Sequence, residues 1–355
     1  MHQLKSSIIY CMQNSSPPEL DNNYISVIIP VLNEVKNIET ALKCLVDNQI
    51  PQSQMEVLII DGGSLDGTTE KALTFGDRLN LKLIKSPGAS VYKALNIGLR
   101  EAKGVYFVRV DARSEIPTNY IKTCIIHLQV PTIECAGGIQ LQYGDSTTSS
   151  SIARVTSSFI GTGGAKFRTA TESSFVDSVY LGVYKTATLR ALGGYEERSD
   201  YVSEDSFINK RIRDQGGKVF LDATLAVRYP AKSTFRALIK QYIIYGAAKA
   251  FLVRKHKKLT SPRQSFPLIA LLLGLLLLLS VLNGLLPVAL IYTVAMSYLT
   301  IVVLANSVNT RYHEQDPGSL AARSIATICI HFAWPIGFFL FLISPKLHKR
   351  LVFWL

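Results

Sequence analysis

The residues that could do chemistry are acids placed at the ends of apolar runs. Asp111 closes the short β-branched and aromatic run Val105, Tyr106, Phe107, Val108 and Val110, which reads as a buried strand. Asp61 ends a second such run, Glu56 to Ile60, while Pro30 and Glu34 stand at the end of a third, Ile25 to Pro30. A Glu204-Asp205 pair opens a helical stretch reaching about Gln215, where acids suit the positive helix end. In open α/β sheets ligands bind beyond the carboxyl ends of the strands, so acids at those ends face a cleft and not the core. Carboxylates converging at one sheet edge can hydrogen-bond a base or ribose and hold a divalent cation on a diphosphate. A nucleotide-diphosphate ligand fits that chemistry. Asp66, inside the turn-forming run Asp61-Gly62-Gly63-Ser64-Leu65-Asp66-Gly67-Thr68, reads as a residue that caps the turn.

Positioning these acids requires a sheet. The strand from Ile25, a helix to about Asn48 with Ile38, Ala41, Leu42 and Leu45 on one face, the strand to Ile60, a strand at Leu81 to Ile84, a helix from Val91 to Lys103 and the strand before Asp111 alternate regularly. That order predicts an α/β domain whose mostly parallel central sheet is covered on both faces. Cys135 to Tyr143, Val176 to Tyr184 and Val219 to Leu221 read as further extended segments, and Gly193-Gly194-Tyr195 marks a turn before the Glu204 helix, with Ser203 as its N-cap and Gly216-Gly217 at its end. Asp145 to Ser158 is rich in Ser and Thr with little to bury, so a mobile loop is expected there.

The rest of the chain points to a membrane. With 355 residues, 48% of them hydrophobic, there is more apolar side chain than one soluble domain needs. The net charge of +12 includes Arg254, Lys255, Lys257, Lys258 and Arg263, crowded before an apolar C-terminal third. That placement favours a lipid surface over nucleic acid. Five scattered cysteines without C-x-x-C spacing suggest neither disulfides nor zinc and suit a reducing, cytoplasmic face. Thr234 to Arg254 carries Phe235, Leu238, Ile239, Tyr242 and Ile243 on one stripe and reads as an amphipathic helix on the bilayer. Phe266 to Val308, interrupted at Asn283-Gly284 and Pro287, is long enough for two spans. Ser324 to Ile343 is a third apolar stretch, but a third crossing would put Lys346, Lys349 and Arg350 outside, against the positive-inside tendency. A third span and a re-entrant or interfacial segment both remain open at this point. The expected organisation is a flexible tail over 1–24, a catalytic domain over 25–232, a basic interfacial helix and linker over 233–265, a membrane region over 266–343 and a basic tail over 344–355.

I-S-V-I-I-P-V-L-N-E, V-L-I-I-D-G-G-S-L-D-G-T, A-L-N-I-G-L-R-E-A-K-G, V-R-V-D-A-R, G-G-Y-E-E and S-E-D-S-F-I-N-K-R-I-R-D-Q-G-G-K, in that order, resemble the motifs of glycosyltransferase family 2. Within it the chain is similar to membrane-attached enzymes of the succinoglycan type that extend lipid-linked exopolysaccharide units. The resemblance covers about Ile25 to Thr224 and implies a GT-A-like nucleotide-diphospho-sugar transferase domain followed by transmembrane helices. It implies a cell-membrane, multi-pass enzyme with a cytoplasmic catalytic domain, inverting and UDP-linked, acting on a polyprenyl-linked saccharide and not on nucleic acid. Carried over by position, it makes Pro30, Glu34 and Asp61 nucleoside contacts, places Asp111 by the diphosphate, and makes Asp205 the catalytic base. Gly182 and Glu204 fall on the acceptor side. The family's usual Asp-x-Asp reads Asp111-Ala112-Arg113 here, so Asp111 is the one candidate ligand for Mg2+ or Mn2+, and Arg113 stands where the second carboxylate would be. A guanidinium is no metal ligand, but its fork pairs with phosphate. The Q-x-x-R-W of processive synthases is replaced by Gln241-Tyr242-Ile243-Ile244-Tyr245, which implies addition of a single sugar.

Rival classes are weaker. The first strand is followed by Pro30-Val31-Leu32-Asn33-Glu34 where a dinucleotide-binding fold would carry G-x-G-x-x-G, and no P-loop G-K-[ST] is present. A polyprenyl-phosphate glycosyltransferase shares the architecture but uses the lipid phosphate itself as acceptor. A non-catalytic membrane scaffold would be favoured by Arg113 and disfavoured by Asp205. His127 and His331 read as structural residues.

Overall fold

A computed structural model describes residues 24–196, 204–256, 265–308 and 318–347. The expected N-terminal tail (residue 24 apart), the Ser203 cap, Lys257, Lys258, Arg263, Lys349 and Arg350 lie outside the described residues.

Eight strands form one sheet in the order β3-β2-β1-β4-β7-β5-β8-β6. They are β1 Ile25–Val31, β2 Met55–Asp61, β3 Leu81–Lys85, β4 Tyr106–Arg109, β5 Ile133–Tyr143, β6 Ser174–Phe175, β7 Tyr180–Lys185 and β8 Lys218–Pro230. The half built from β3, β2, β1 and β4 is parallel, as the alternation of strands and helices demands. β7 then enters antiparallel between β4 and β5, and β6 pairs antiparallel with β8, so the sheet is mixed. That departure from a uniformly parallel sheet lies in the second half of the domain, where the alternation of strand and helix is lost.

Two helical layers cover the sheet. Helices α1 Ile38–Val46, α2 Thr68–Leu73 and α4 Tyr120–Leu128 bury one face, against Val27, Val57, Val108 and Val110. Helices α3 Val91–Glu101, α8 Thr186–Ala191 and α9 Glu204–Asp214 cover the other, against Ile28, Leu58 and Phe107. Side chains alternate along a strand, so Val108 and Val110 face the first layer while Phe107, and with it Arg109 and Asp111, face the layer that contains α9. This parity delivers strand-end chemistry to the start of α9.

Residues 145–158 are not a loop. They contain α5 Thr147–Thr156, followed by the short helices α6 Phe159–Thr162 and α7 Lys166–Thr169. Ser146 caps α5 reciprocally with Ser149: its side chain accepts from the Ser149 backbone, and the Ser149 hydroxyl accepts from the Ser146 backbone. Hydroxyls that compete for the backbone in isolation return here to helical carbonyls, Ser151 to Thr147 and Thr156 to Ile152. Ile152 and Val155 then bury against the C-terminal helices.

Those helices are α10 Phe235–His256, α11 Ser265–Leu282, α12 Ala289–Ser307 and α13 Leu320–Ile343. The last three are long and apolar enough to cross a membrane. The apolar stripe of α10, expected to meet lipid, meets protein: Leu238, Tyr242 and Ile243 pack on Ala326, Ile330 and Ala333 of α13. Two glycines permit this contact, because a Cβ on Gly246 would strike the Trp334 carbonyl and one on Gly337 the Ile243 carbonyl.

Candidate active site

The parallel register sets the strand-end acids in a row. Val31 pairs with Asp61, and the backbone of Val110 bonds to Ile28, so the ends of β2, β1 and β4 are level. Two strand spacings of about 4.8 Å separate the outer two. Between them the loop after β1 is tied to the loop after β2. The Glu34 amide donates to Thr68 Oγ1 at 2.7 Å, the Val35 amide to Asp66 Oδ2 at 3.1 Å, and the Asn33 amide to Ser64 Oγ at 2.9 Å. Asp61 is buried and accepts from the backbone and hydroxyl of Ser64. Asp66 does cap its turn, accepting also from the Thr68 amide. Asn33 takes a left-handed φ of 54°, a conformation asparagine tolerates better than most residues.

The centre of the site is a residue absent from the sequence expectations. Arg109, 5% exposed, sends Nε to Asp111 Oδ1 at 2.9 Å, one terminal nitrogen to Glu204 Oε1 at 2.8 Å and the other to Asp205 Oδ1 at 2.7 Å. Three carboxylates from two distant segments thus share one guanidinium. Burial alone would lower the Arg109 pKa, but Asp111, Asp205 and Glu204 outweigh it and hold the pKa well above the ordinary arginine value. Burial pushes Asp205 up, to about 7, with Arg109 opposing and Glu204 and Asp111 adding to the rise. The Asp205 side chain nevertheless keeps 19% of its surface open, so solvent or a substrate hydroxyl reaches it. The signal for Arg109 was in the sequence: an arginine inside an apolar strand is almost never buried without partners.

Tyr180 completes the surround of Asp111. Its hydroxyl lies 3.0 Å from Ser114 Oγ and 3.4 Å from Asp111 Oδ2. The adjacent Leu181 holds a left-handed φ of 49°, strain of about 1–3 kcal/mol at a non-glycine residue. The buried Tyr120 hydroxyl bonds the carbonyls of Tyr180 and Leu181 and the Gly138 amide, which fixes this kink.

The remaining candidates are placed as follows. Pro30 lies in β1, half-buried beside the Asp61 strand. Arg113 directs its fork at Glu34, with contacts of 2.8 and 2.9 Å, and that bond raises its pKa. Half-buried Lys232 has its pKa lowered by partial burial and then by Arg113, which puts a second cation beside this pair. Glu204 is buried and pairs with Arg109. Gly182 lies in β7 under the Tyr184 ring, which a Cβ would meet at 2.5 Å, so its lack of a side chain serves packing. Among the described residues no cluster of three His, Cys, Asp or Glu could hold a metal ion. A cation here would have Asp111 as its protein ligand and water and substrate phosphate oxygens for the rest, an arrangement Mg2+ commonly uses. Of these carboxylates Asp111 and Asp205 keep part of their surface exposed, while Asp61 and Glu204 are buried. A cavity of about 460 Å³ lies elsewhere, between Leu192–Glu196 and the outer side of α9 at Phe207 and Lys210.

A sheet layered between helices, with acids at the ends of parallel strands and an acidic helix start facing them, defines the GT-A-like class. The mannosyltransferase PcManGT of Pyrobaculum calidifontis, solved with GDP-Man and Mn2+, shares this fold with a TM-score of 0.59 at 17% identity, over 92% of this chain and 94% of that one. Residues 26–188 match the glycosyl transferase family 2 model, and the chain is a glycosyltransferase. It is 27% identical to the succinoglycan biosynthesis protein ExoA of Rhizobium meliloti, over 91% of this chain and 96% of the relative. It is 29% identical to the dolichyl N-acetyl-alpha-D-glucosaminyl phosphate 3-beta-D-2,3-diacetamido-2,3-dideoxy-beta-D-glucuronosyltransferase of Methanococcus voltae, over 66% of this chain and 75% of that one.

Proposed function

We propose that this glycosyltransferase is inverting and moves one sugar from a nucleotide diphosphate sugar, UDP-linked, to a saccharide carried on a polyprenyl lipid at the cytoplasmic face of the membrane. The observation that carries this reading is Arg109, which joins Asp111 at the donor end of the sheet to Asp205 at the start of α9. Pro30, Glu34 and Asp61 line the nucleoside end, and Arg113 and Lys232, beside Glu34, supply positive charge for the diphosphate in addition to Arg109. A divalent cation on Asp111 would neutralise the leaving diphosphate. Asp205 Oδ1 is held by Arg109, which leaves Oδ2 for the acceptor hydroxyl. As that oxygen attacks the anomeric carbon, its proton passes to Asp205 and the bond to the nucleoside diphosphate breaks on the opposite face. Burial gives Asp205 enough basicity for this, while Arg109 keeps a useful fraction ionised. A lipid-linked acceptor is supported by the Methanococcus voltae relative, which is named for transfer to a dolichyl-linked sugar phosphate.

The test is a panel of labelled nucleotide sugars offered to the full chain in membranes, with polyprenyl phosphate and polyprenyl-diphosphate-linked sugars as separate acceptors. Label is expected in the sugar-bearing lipid. Label on plain polyprenyl phosphate would replace this reading with a polyprenyl-phosphate transferase, and no labelled lipid from any donor would end it.

A further inference from the structure

Among the described residues length and hydropathy give three helices that could cross a bilayer, yet the three are buried very differently. Their most apolar windows are 6%, 11% and 44% buried for α11, α12 and α13. The contacts of α13 show why. Its first residues lie on the catalytic domain, where the Ser319 amide donates to Ser151 Oγ of α5 at 3.1 Å. The end of α12 is held at the same helix, Arg154 donating to the Val308 carbonyl at 3.2 Å. Half-way along α13, His331 Nε2 reaches the Ile160 carbonyl of α6 at 2.8 Å. Near its far end Phe341 meets Phe251 of α10, which in turn meets Phe207 of α9, with ring centroids 6.3 and 6.5 Å apart. A helix of 24 residues is about 36 Å long, and this one touches the domain, or the helix packed on it, at its beginning, middle and end.

A helix so placed runs along the domain and does not leave it. Were it to cross, α10 would cross beside it, since the two pack from Leu238 and Ala326 to Phe251 and Phe341. α10 carries Lys240 and Lys249 inside its length, with Arg236 and Arg254 at its ends, and cations within a membrane-spanning helix are costly. The segment α5 to α7 would also be carried to mid-membrane depth at His331, with non-helical backbone in hydrocarbon. By contrast α11 and α12, joined through Asn283-Gly284, expose apolar side chains along most of their length. On α13 the exposed residues Ile325, Phe332, Ile336 and Ile343 fall on one stripe, with Leu320 and Leu342 exposed off it near the two ends, and Phe159 of α6 is 77% exposed.

We propose that α13 lies in the membrane interface with its Ile325 to Ile343 stripe toward lipid, that α11 and α12 alone cross, and that the C-terminus stays on the face carrying Asp205. Lys346 and the sequence positions Lys349 and Arg350 then stay on the catalytic, cytoplasmic side, where basic residues belong. The catalytic cleft is thereby fixed close above the lipid headgroups.

The test uses the full chain with a protease-cleavable epitope tag after Leu355, in sealed right-side-out and inside-out vesicles. Asp77→Cys marks the catalytic face and Asn283→Cys the hairpin tip, each scored with a membrane-impermeant maleimide over the parent chain's own labelling. Tag cleavage and Asp77→Cys labelling are expected in inside-out vesicles alone, and Asn283→Cys labelling in right-side-out vesicles alone. A tag cleaved in right-side-out vesicles would establish a third crossing and overturn the proposal, as would Asn283→Cys labelled on the same face as Asp77→Cys. No substrate is needed, so this result stands apart from the reaction proposed above.

Discussion

Replacing Arg109 by methionine keeps most of the side-chain volume and removes the one charge that Asp111, Glu204 and Asp205 share at 2.7–2.9 Å. Removing one partner from a buried ion pair costs roughly 3–5 kcal/mol, because the other is left uncompensated. For a domain of this size each kcal/mol lowers Tm by about 2–4 °C, so a fall of roughly 6–20 °C is expected. Circular dichroism of the detergent-solubilised chain is the suitable probe, since both tryptophans, Trp334 and Trp354, come after the sheet domain in the sequence. The loss carries a pH signature. Without Arg109 nothing opposes the burial that already raises Asp205, so its folded pKa climbs further above the unfolded value. A carboxyl with a raised folded pKa lends stability that is complete below the unfolded pKa of about 4 and is lost as pH rises through the folded one. The gap between variant and parent is therefore smaller at pH 5 than at pH 8. Arg109→Lys restores one charge without the fork and falls between the two. A gap below about 1 kcal/mol, or one constant from pH 5 to 8, would refute the view that Arg109 is held by charge.

Asp205→Asn removes the base without changing its shape, so turnover should fall by about 10²- to 10⁴-fold while donor binding by equilibrium dialysis persists. In the parent, kcat/KM should rise with pH through an inflection near 7, the direction set by a buried carboxyl that works only when deprotonated. A flat profile from pH 5 to 9 would remove Asp205 from that role. Since Asp111 is the lone carboxylate of its motif and Arg113 and Lys232 stand close by, chelation alone should weaken donor binding and chelation of Arg113→Ala should abolish it. Abolition by chelator in the parent would show that the guanidinium contributes nothing. Gly337→Ala drives a methyl into the Ile243 carbonyl, and overpacking of this kind costs roughly 1–3 kcal/mol. Faster proteolysis of α13 from the membrane-bound chain is expected, and unchanged protection would show that α10 and α13 do not depend on that contact.

Local pattern was enough for the first half of the domain. β1 to β4 are apolar runs broken by turn residues, and a buried parallel strand has few other sequences open to it. Strand ends fix where ligands go, so Glu34, Asp61 and Asp111 were legible as a group, and the Glu204-Asp205 pair was legible as a helix start. Three features were not. α5 looks like a loop because hydroxyl residues avoid helices in isolation, and only its cap and its burial on α13 reverse that preference. The stripe on α10 is identical whether it meets lipid or another helix, since both are apolar, and position in space alone distinguishes them. Arg109 is the clearest case. Side-chain parity on β4 says which face it takes, but its partners arrive 95 and 96 residues later on α9, brought by the way the chain returns across the sheet. Sequence therefore determined which acids are present and that they sit at the mouths of strands. The tertiary fold decided which of them share a charge, because a Coulomb interaction depends on separation in space and the spacing along the chain carries no information about it.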